Sequence, residues 1–433
     1  MFFCRYICQM IEALYKIYLQ YPSVQTDTRT LQPGDIFFAL KGHSFNGNAF
    51  AKQAIETGAA RAVIDEKEFE IPGKTFLVPD VLTALQQLSQ HHRRQFSIPF
   101  IAITGSNGKT TTKELVHAVL SSTFKTCTTE GNLNNHIGVP LTILKIKSDA
   151  QMAVIEMGAN HQKEIESYCH IALPTHGLIT NCGKAHLEGF GSVEGVRKGK
   201  GELYDFLRAN NGTAFVMWDY DYLRQMSSGI PVIIRYGTAD ADVEGAAAPN
   251  GAFLAVAMKK GLQGKIKTKL VGDYNLPNVL AAVAVGKHFA VPDEKIISAI
   301  ENYYPSNSRS QLVESASNKI IMDAYNANPS SMQLAIENFA KTKSNNKILL
   351  LGGMAELGEE SLEEHRAIIE LIKQYPWKEV ALVGGDFSNL PHPYRSFENS
   401  EKAKEWFQQQ RFENCFILVK GSRSMRMEKV LES

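Results

Sequence analysis

The pattern of hydrophobic and polar residues predicts short buried strands that alternate with amphipathic helices. The alternation is most regular in the last quarter of the chain. The strands are predicted at 319–322, 347–351, 379–383 and 415–419, and the helices at 330–339, 362–373, 401–409 and 425–431. Alternation at this spacing indicates a mostly parallel sheet with helices on both faces. The polar loops that follow these strands should lie on one rim of that sheet.

The preceding residues predict two further α/β regions. The first has an amphipathic helix at its start, three short strands and a helix from Leu82 to about Gln95. Its polar end, His91 to Arg94, is followed by Pro99 and is expected to mark a domain boundary, and we expect the two histidines, His91 and His92, to be solvated. The fold class is therefore α/β with three domains: residues 1–96, 97–306 and 307–433. We expect β-hairpins in the Gly-, Ala- and Lys-rich stretch after residue 236.

The candidate chemistry centres on a turn between a strand and a helix. Phe100 to Ile103 reads as a buried strand, and helical spacing begins at Thr110. Between them, Gly105 and Gly108 let the backbone approach an anion, Lys109 adds positive charge, and the Thr110 hydroxyl can reach Mg²⁺. The full P-loop pattern is not present, because its first glycine would fall at Ile103. The alternative is a tight Gly-Lys turn without a nucleotide.

Two later strands end in polar groups that can bind a ligand. Glu156 closes the strand that starts at Met152, and His186 lies in a Gly-rich loop after the strand 177–180. Since strand ends of a parallel sheet open on the ligand crevice, Glu156 is placed to bind Mg²⁺, or else to cap a helix. His186 could contact a metal or substrate.

Four other groups remain ambiguous from the residues alone. Thr26 to Arg29 could hold a diphosphate or form a solvated turn, and Lys198 and Lys200 could simply lie on a solvated helix face. Asn275 and Asn278 could cap a helix or face an adenine edge. The Gly- and Asn-rich loop could be a structural turn or a binding loop, and its asparagines are Asn132, Asn134 and Asn135.

Composition narrows the class of protein. The 433 residues are 44% hydrophobic and 21% charged, and 46 basic against 45 acidic residues leave a net charge of +1, which does not favour nucleic-acid binding. Six scattered cysteines without a C-x-x-C pattern favour reduced, buried thiols in a cytoplasmic protein. The apolar start is interrupted by Arg5, Glu12 and Lys16 and lacks a cleavage site, so we expect neither a signal peptide nor membrane insertion.

These motifs together resemble the ATP-dependent Mur ligases of peptidoglycan synthesis. The resemblance rests on Thr104 to Thr111, the Glu156 strand, the His186 loop and the Lys-Gly-Glu helix. In the last domain, three motifs resemble the branch that adds D-alanyl-D-alanine: Asp323 to Pro329, Gly353 to Glu359 with His365, and Lys420 to Arg423. The resemblance extends from about Val24 to the C-terminus.

The resemblance implies what each domain and the whole chain do. The first domain would bind the UDP-muramoyl-peptide, the second would be a P-loop-like ATPase domain, and the third would be a Rossmann-like ligase domain. The reaction implied is ATP-dependent joining of D-Ala-D-Ala to UDP-N-acetylmuramoyl-tripeptide through an acyl phosphate. The cofactors implied are ATP, two Mg²⁺ ions and a carbamylated lysine. We expect a monomer, and the chain leaves no room for a fused racemase domain.

The resemblance also implies roles for particular residues. The catalytic set would be Lys109, Glu156, His186 and Lys200, with Thr110, Glu156, His186 and Lys200 on the metals. Lys200 would be the carbamylated lysine, with Lys198 as the competing assignment. The ATP-binding residues would be Gly105, Ser106, Asn107, Gly108, Lys109, Thr110, Thr111, Asn275, Asn278, Arg309, Asp323, Tyr325 and Asn326. The muramoyl-peptide and its uridine diphosphate would be bound by Thr26, Asp27, Thr28, Arg29, Asn132, Asn134 and Asn135.

The sequence departs from the family pattern at two places. Asn46 and Asn48 replace the Asp and His of Phe-Asp-Gly-His-x-Phe, and Tyr274 replaces the His of Gly-x-His-Asn. Two alternative functions stay open. One is another Mur-type or folylpolyglutamate-type amide ligase, against which the Tyr-Asn-Ala-Asn-Pro run argues; the other is a catalytically silent nucleotide-binding protein.

Overall fold

The computed structural model describes residues 2–306, 308–315 and 317–432. Met1, with which the predicted first helix begins, and the side chains of residues 2–7, Cys4 among them, lie outside the described part. The chain divides into two compact units. The first comprises Met1–Ala102, Phe124–Gly158 and Glu164–His176, and the second comprises Ile103–Thr123, Ala159–Lys163 and Gly177–Ser433.

The described residues contain both helices and strands throughout. The α-helices are α1 (Phe2–Gln20), α2 (Ala51–Glu56), α3 (Val81–Arg93), α4 (Lys109–Ser121), α5 (Gly138–Leu144), α6 (Glu164–Ala172), α7 (Leu187–Phe190), α8 (Val193–Ala209), α9 (Asp221–Met226), α10 (Leu276–His288), α11 (Asp293–Glu301), α12 (Pro329–Lys341), α13 (Ser361–Ile372) and α14 (Ser400–Gln410).

The strands are short, as is usual for α/β proteins. They are β1 (Val24–Gln25), β2 (Ile36–Phe38), β3 (Lys41–Gly42), β4 (Phe45–Asn46), β5 (Arg61–Ile64), β6 (Thr75–Leu77), β7 (Phe100–Thr104), β8 (Thr126–Thr128), β9 (Met152–Glu156), β10 (His176–Ile179), β11 (Thr213–Met217), β12 (Val232–Gly237), β13 (Val243–Ala248), β14 (Phe253–Lys260), β15 (Lys265–Val271), β16 (Gln311–Ser315), β17 (Asn318–Asp323), β18 (Lys347–Gly352), β19 (Glu379–Val383), β20 (Arg395–Phe397) and β21 (Phe416–Lys420).

The first unit contains a four-stranded parallel sheet in the order β1-β2-β5-β6. Successive side chains of a strand point to opposite faces of the sheet, and helices cover both faces. Ile36 and Phe38 pack in one cluster with Leu14 of α1 and Leu85 of α3, while Phe37 packs in another cluster with α2. Strands β8 and β9 pair in parallel in the same unit.

The polar end of α3 differs from the prediction. The expectation that the two histidines are solvated is wrong for His92, which is buried, while His91 is partly buried; the adjacent Arg93 is buried as well. His92 Nε2 lies 2.9 Å from the carbonyl of Ile146, and Nδ1 lies 3.1 Å from the Tyr15 hydroxyl of α1. Helix α1 and the segment after α5 therefore cover a helix end that looks exposed in the sequence.

The second unit contains the predicted mostly parallel sheet at its C-terminal end. Its order is β16-β17-β21-β18-β19-β20, and β16, which the pattern missed together with β20, is its antiparallel edge strand. Its core includes Ile320, Leu350, Val383 and Ile417. The predicted last helix is wrong: two 3₁₀ turns, Arg423–Met425 and Met427–Leu431, are separated by Arg426 at φ +48°, and a left-handed residue interrupts an α-helix.

The remaining strands of the second unit follow one another in space from β10 to β15. The expected hairpins are confirmed, because β13, β14 and β15 pair antiparallel. Helix α10 packs against α4. Helix α4 follows the predicted phosphate-binding turn of Gly105 to Lys109, which is called the phosphate loop below. None of the helices in the described ranges is long and apolar enough to cross a membrane.

The cysteines of the described part are free thiols, in agreement with the prediction. Cys169, Cys182 and Cys415 are buried as expected, Cys127 is partly buried, and Cys8 is exposed.

Candidate active site

The phosphate loop has the geometry that its sequence predicts. Strand β7 ends at Thr104, α4 begins at Lys109, and Gly105 and Gly108 have φ values of +140° and +78°. A Cβ atom on Gly105 would lie 2.0 Å from Oγ1 of Thr180, so only glycine fits. Lys109 Nζ donates to the carbonyl oxygens of Gly105 at 2.7 Å and Ser106 at 3.0 Å. The ammonium group is thus held over the turn, where an anion would be bound.

Asn107 of this loop is hydrogen-bonded through both its backbone and its side chain. Its carbonyl oxygen accepts from Thr180 Oγ1 at 2.6 Å and from Asn181 Nδ2 at 3.1 Å, and its N–H donates to Asn181 Oδ1 at 3.0 Å. Its side-chain oxygen accepts from Nδ2 of Asn328 at 2.8 Å. Sequence reasoning gave these partners no role at the loop. The available signal was the position of Thr180 and Asn181 at the end of a buried strand.

Asn275 and Asn278 are buried in a chain of amide hydrogen bonds. Asn278 Oδ1 accepts from Thr112 Oγ1 at 3.0 Å, its Nδ2 donates to Asn275 Oδ1 at 2.9 Å, and Asn275 donates to the carbonyl of Val271 at 2.9 Å. A Cβ atom on Gly108 would lie 2.7 Å from Asn278 Oδ1. The pair therefore connects α10 to the phosphate loop, and its contact with adenine stays a prediction.

Among the predicted ATP residues of the C-terminal region, Asp323 forms an ion pair with the buried Lys420. Lys420 Nζ lies 2.6 Å from Asp323 Oδ2 and is 2% exposed, and the N–H of Ser310 donates to Asp323 Oδ1 at 3.2 Å. The guanidinium of Arg309 lies 3.6 Å from the centre of the Tyr325 ring, a cation–π contact. The side-chain oxygen of Asn326 accepts from the N–H of Ala327. Sequence reasoning placed Lys420 in a motif but gave it no role.

Tyr274, which replaces the family histidine, lies beside this group. Its hydroxyl is 3.0 Å from Oγ of Ser310, and burial raises its pKa well above the ordinary value. A half-buried phenol that stays protonated provides a flat, apolar ring with one hydrogen-bonding atom. The ring can therefore take the place of an imidazole as a surface for a base.

The three polar loops lie on one rim, as predicted. Strands β17, β18 and β21 are parallel neighbours, so their carboxyl ends share an edge. Ser422 contacts both neighbouring loops: its N–H donates to the Gly353 carbonyl at 3.2 Å and its hydroxyl to the Ala327 carbonyl at 3.4 Å.

His186 adopts a left-handed conformation, with φ +53°, immediately before α7. Its Nδ1 contacts the carboxylate of Glu356, a residue that the sequence analysis placed in a motif without a role. The hydrogen bond from His186 lowers the pKa of Glu356, and the charge of Lys109 lowers it further. The carboxylate of Glu356 therefore stays ionised, and it interacts electrostatically with Lys109 of the phosphate loop.

The side chains of Lys198 and Lys200 lie in different environments. Lys200 is 1% exposed, donates to the carbonyl of Ala159 at 2.8 Å and lies 5.0 Å from the centre of the Phe190 ring. Lys198 is exposed. Two positions along a helix correspond to a rotation of about 200°, so the two amines cannot share a face. The amine of Lys200 is therefore enclosed by protein, whereas that of Lys198 faces solvent.

In the first unit, Glu156 is 1% exposed at the end of β9. Its carboxylate accepts from Asn134 Nδ2 at 2.7 Å. The neighbouring Asn135 uses its side chain to cap α5 by accepting from the N–H groups of Ile137 and Gly138, and Asn132 is exposed. The three asparagines that we grouped as substrate ligands therefore have different surroundings.

The Thr-Asp-Thr-Arg segment forms an exposed turn in the same unit. Arg29 pairs with both carboxylate oxygens of Asp27, and its side chain is 86% exposed. The hydrogen bond from Arg29 lowers the pKa of Asp27 to about 2. The guanidinium is accessible, but part of its donor capacity is already used by Asp27.

The two asparagines that depart from the family pattern have defined partners. Asn48 is fully buried; its Oδ1 accepts from the N–H of Asp65 at 3.0 Å and its Nδ2 donates to the Asp65 carboxylate at 2.8 Å. Asn46 accepts from the N–H of Asn48 and donates to Glu66. Lys41 bridges the two acids at 2.8 Å each. Asn46 and Asn48 therefore hold the loop against the end of β5 through hydrogen bonds.

Three family models match the chain in sequence order. They are the Mur ligase family catalytic domain at residues 20–93, the Mur ligase middle domain at 103–286, and the Mur ligase glutamate ligase domain at 308–423. Together with the structural matches below, they establish the three-domain architecture.

Relatives of known name match over almost the whole chain. The UDP-N-acetylmuramoyl-tripeptide–D-alanyl-D-alanine ligase of Bacillus subtilis (strain 168) is 33% identical, with 94% of this chain and 92% of that protein covered. The ligase of the same name from Escherichia coli (strain K12) is 34% identical, with 95% and 93% covered.

Solved structures match as well. A crystal structure of MurF from Acinetobacter baumannii has a TM-score of 0.86 at 30% identity, with 94% of this chain and 92% of that chain covered. The MurF ligase of Thermotoga maritima in complex with ADP has a TM-score of 0.85 at 25% identity, with 95% and 97% covered. The folds, the three family models and the identities agree, and the chain belongs to the Mur ligase family.

Proposed function

We propose that this chain is an ATP-dependent ligase that joins D-alanyl-D-alanine to the terminal carboxylate of UDP-N-acetylmuramoyl-tripeptide, with UDP-N-acetylmuramoyl-pentapeptide, ADP and phosphate as products. The observation that carries the proposal is the full-length similarity to ligases of that name from Bacillus subtilis and Escherichia coli. The phosphate loop supplies the physical basis for the use of ATP.

The chemistry requires activation of a carboxylate, which is a poor acyl donor. Transfer of the γ-phosphoryl group of ATP to the carboxylate oxygen releases ADP and gives an acyl phosphate. The amine of D-Ala-D-Ala then attacks the acyl carbon, the amide bond forms, and phosphate leaves. Lys109 would offset part of the charge on the transferred group, and such electrostatic stabilisation is the main contribution a protein makes to phosphoryl transfer.

The described residues fit a metal that is bound together with the nucleotide. No group of three or more His, Cys, Asp or Glu side chains that could hold a metal ion occurs among the residues the structure describes. Mg²⁺ is usually held by one or two carboxylates, water and substrate phosphates, so such a cluster is not required. When bound, Mg²⁺ would neutralise phosphate charge.

The proposed metal ligands are those that the resemblance implies: Thr110, Glu156, His186 and a carbamylated Lys200. The Thr110 hydroxyl is buried at the start of α4, which suits a ligand beside the phosphate loop. A carbamate on Lys200 would convert a donor that now binds the Ala159 carbonyl into an anionic oxygen ligand. The assignment of Glu156, a first-unit residue, rests on the resemblance.

The other substrate contacts are proposed on the same basis. Asn275, Asn278, Arg309, Asp323, Tyr325 and Asn326 would bind ATP with the phosphate loop, and Thr26 to Arg29 with Asn132, Asn134 and Asn135 would bind the UDP-muramoyl-peptide. The domain limits 1–96, 97–306 and 307–433, a monomeric state and a cytoplasmic location are part of the proposal. A folylpolyglutamate synthase from Mycobacterium tuberculosis is 15% identical, so its likeness concerns the fold alone.

The test is phosphate release by the purified protein with ATP and Mg²⁺. We expect release, and a pentapeptide product by mass spectrometry, only when UDP-N-acetylmuramoyl-tripeptide and D-Ala-D-Ala are both present. Lys109→Ala should lower kcat at least a hundredfold, as expected for the loss of a group that stabilises transferring charge. Lys373→Ala, at an exposed lysine after α13 that pairs only with Glu370 among the contacts described, should not change it. ATP binding without turnover for any acceptor and amine pair would favour the silent nucleotide-binding alternative.

A further inference from the structure

The loop from Gly353 to Gly358 approaches the His186 loop through both side chain and backbone. The Glu356 carboxylate contacts His186 Nδ1, and the N–H of Glu188 donates to the Glu356 carbonyl at 3.3 Å. The Cβ position of Gly358 lies 3.4 Å from the Cα atom of Glu188. The two loops are therefore in contact through both side-chain and backbone atoms, and the Glu356 carboxylate is one part of this contact.

The backbone of both contacting residues is in a rarely used conformation. His186 has φ +53° and Glu356 has φ +61°. Non-glycine residues at such angles cost free energy and are retained where the surroundings require one side-chain direction. Here that direction brings the carboxylate and the imidazole together.

An ionised carboxylate can only accept hydrogen bonds, so the Nδ1 atom of His186 must carry the proton in this contact. When the ring is neutral, its lone pair is then on Nε2, the atom that does not face Glu356. Metal-binding histidines usually donate their second N–H to a carboxylate or carbonyl, and removal of that partner typically costs 10- to 100-fold in metal affinity or activity.

We propose that Glu356 is a positioning residue that fixes the tautomer and ring orientation of His186, so that Nε2 faces the reacting groups. The inference rests on the proposed function, in which His186 contributes to metal binding. Under this proposal, a loop of the C-terminal region orients the side chain of a residue in the central region.

The first measurement needs neither metal nor substrate. Long-range ¹H–¹⁵N spectra of the whole protein, with the His186 signals assigned by comparison with His186→Ala, should show the Nδ1–H tautomer in the wild type. Glu356→Ala should shift His186 toward the Nε2–H form, whereas Glu356→Gln keeps an acceptor oxygen and should preserve most of the Nδ1–H form. A wild-type His186 in the Nε2–H form, or a tautomer that Glu356→Ala leaves unchanged, overturns the proposal.

The second measurement compares the steady-state kinetics of the wild type and the Glu356 variants. Glu356→Ala should lower kcat, or raise the Mg²⁺ concentration for half-maximal rate, by 10- to 100-fold, with KM for ATP within twofold of the wild type and Glu356→Gln in between. In the His186→Ala background the same change should have less than a twofold effect, because the two residues act as one group. Equal effects in both backgrounds overturn the proposal.

The control is Glu360→Gln, at an exposed acid in the 3₁₀ turn between this loop and α13, which should match the wild type in both measurements. If the wild type itself does not release phosphate with both substrates, the proposed function has failed. The tautomer measurement still tests the role of Glu356 in that case, so the two failures are distinguishable.

Discussion

Asn328 Nδ2 donates to Asn107 Oδ1 over 2.8 Å, although 221 positions separate the two residues. Asn328 is also the N-cap of α12: its Oδ1 accepts from the Ser331 N–H at 2.9 Å, and the Ser331 hydroxyl contacts the Asn328 N–H, which completes a capping box. One amide group thus starts a helix of the C-terminal sheet region and orients a residue of the phosphate loop.

The two roles of Asn328 can be separated by substitution. Serine is also a good N-cap but is too short to reach Asn107. We expect Asn328→Ser to keep the thermal midpoint within about 2 °C, since a retained cap changes stability little, and to lower kcat/KM for ATP. Asn328→Ala should lower both, the stability by about 0.5–2 kcal/mol.

The matched control is Asn399, which caps α14 in the same way by accepting from the N–H of Lys402. Asn399→Ser and Asn399→Ala should have the corresponding effects on stability and no effect on kcat/KM. An Asn328→Ser protein with wild-type kcat/KM would show that the contact with Asn107 does not contribute to nucleotide use.

The two lysines of α8 should differ sharply in their importance. Lys200→Ala removes the buried amine and is expected to abolish turnover, and formate or acetate should restore part of it by supplying an anionic oxygen in place of a carbamate. Lys198→Ala, at an exposed position, should retain full activity. Mass spectrometry of the intact protein should show the carbamate mass on the wild type and on Lys198→Ala. Loss of activity on Lys198→Ala alone would reverse the assignment.

Arg93 is expected to stabilise the first unit and not to affect catalysis directly. Its Nε donates to the Ala172 carbonyl at 2.7 Å, its Nη2 to the Leu173 carbonyl at 2.9 Å, and its guanidinium lies 3.6 Å from the Phe100 ring centre. Lysine cannot reproduce this fork of donors, and Arg93→Lys should lower the free energy of unfolding by about 1–3 kcal/mol.

Denaturant unfolding monitors this change, and Arg94→Lys, at the exposed neighbouring position, is the control. The KM for each substrate should stay within twofold of the wild type in both variants. A stability of Arg93→Lys equal to that of Arg94→Lys would contradict the structural role.

His92 should make the first unit sensitive to acid. Burial lowers its pKa below the ordinary 6.5, so the folded ring stays neutral where the unfolded chain binds a proton. Stability should therefore fall as pH drops below 6.5, by up to about 1.4 kcal/mol per pH unit until the folded pKa is reached. Charged or titratable neighbours of the ring are Tyr15, Tyr18 and His91.

The measurement is urea unfolding between pH 5 and 8, with the signal of the first unit followed through Tyr15 and Tyr18. His92→Gln has no proton to gain and can still donate to the Ile146 carbonyl, so its stability should depend less on pH over this range. An unchanged pH dependence in His92→Gln would assign the acid sensitivity to other groups, such as His288 and His365, whose pKa values burial also lowers.

The features that depend on local pattern could be predicted from the amino-acid sequence alone. Alternating apolar runs gave the parallel sheet, and two glycines with Lys109 and Thr110 gave the phosphate loop, because strand period, helix period and turn conformation are properties of neighbouring residues. The motifs were specific enough to indicate the family.

The burial and the contacts of individual polar side chains are properties of the tertiary structure. We expected His92 to be solvated, but α1 covers it, and Lys198 and Lys200 are separated only by their place on α8. The partners of Asn107 and His186, which are Asn328 and Glu356, come from loops more than 150 residues away along the chain. Such contacts depend on the order in which parallel strands assemble, and that order has no signal in the residues on either side of the contact.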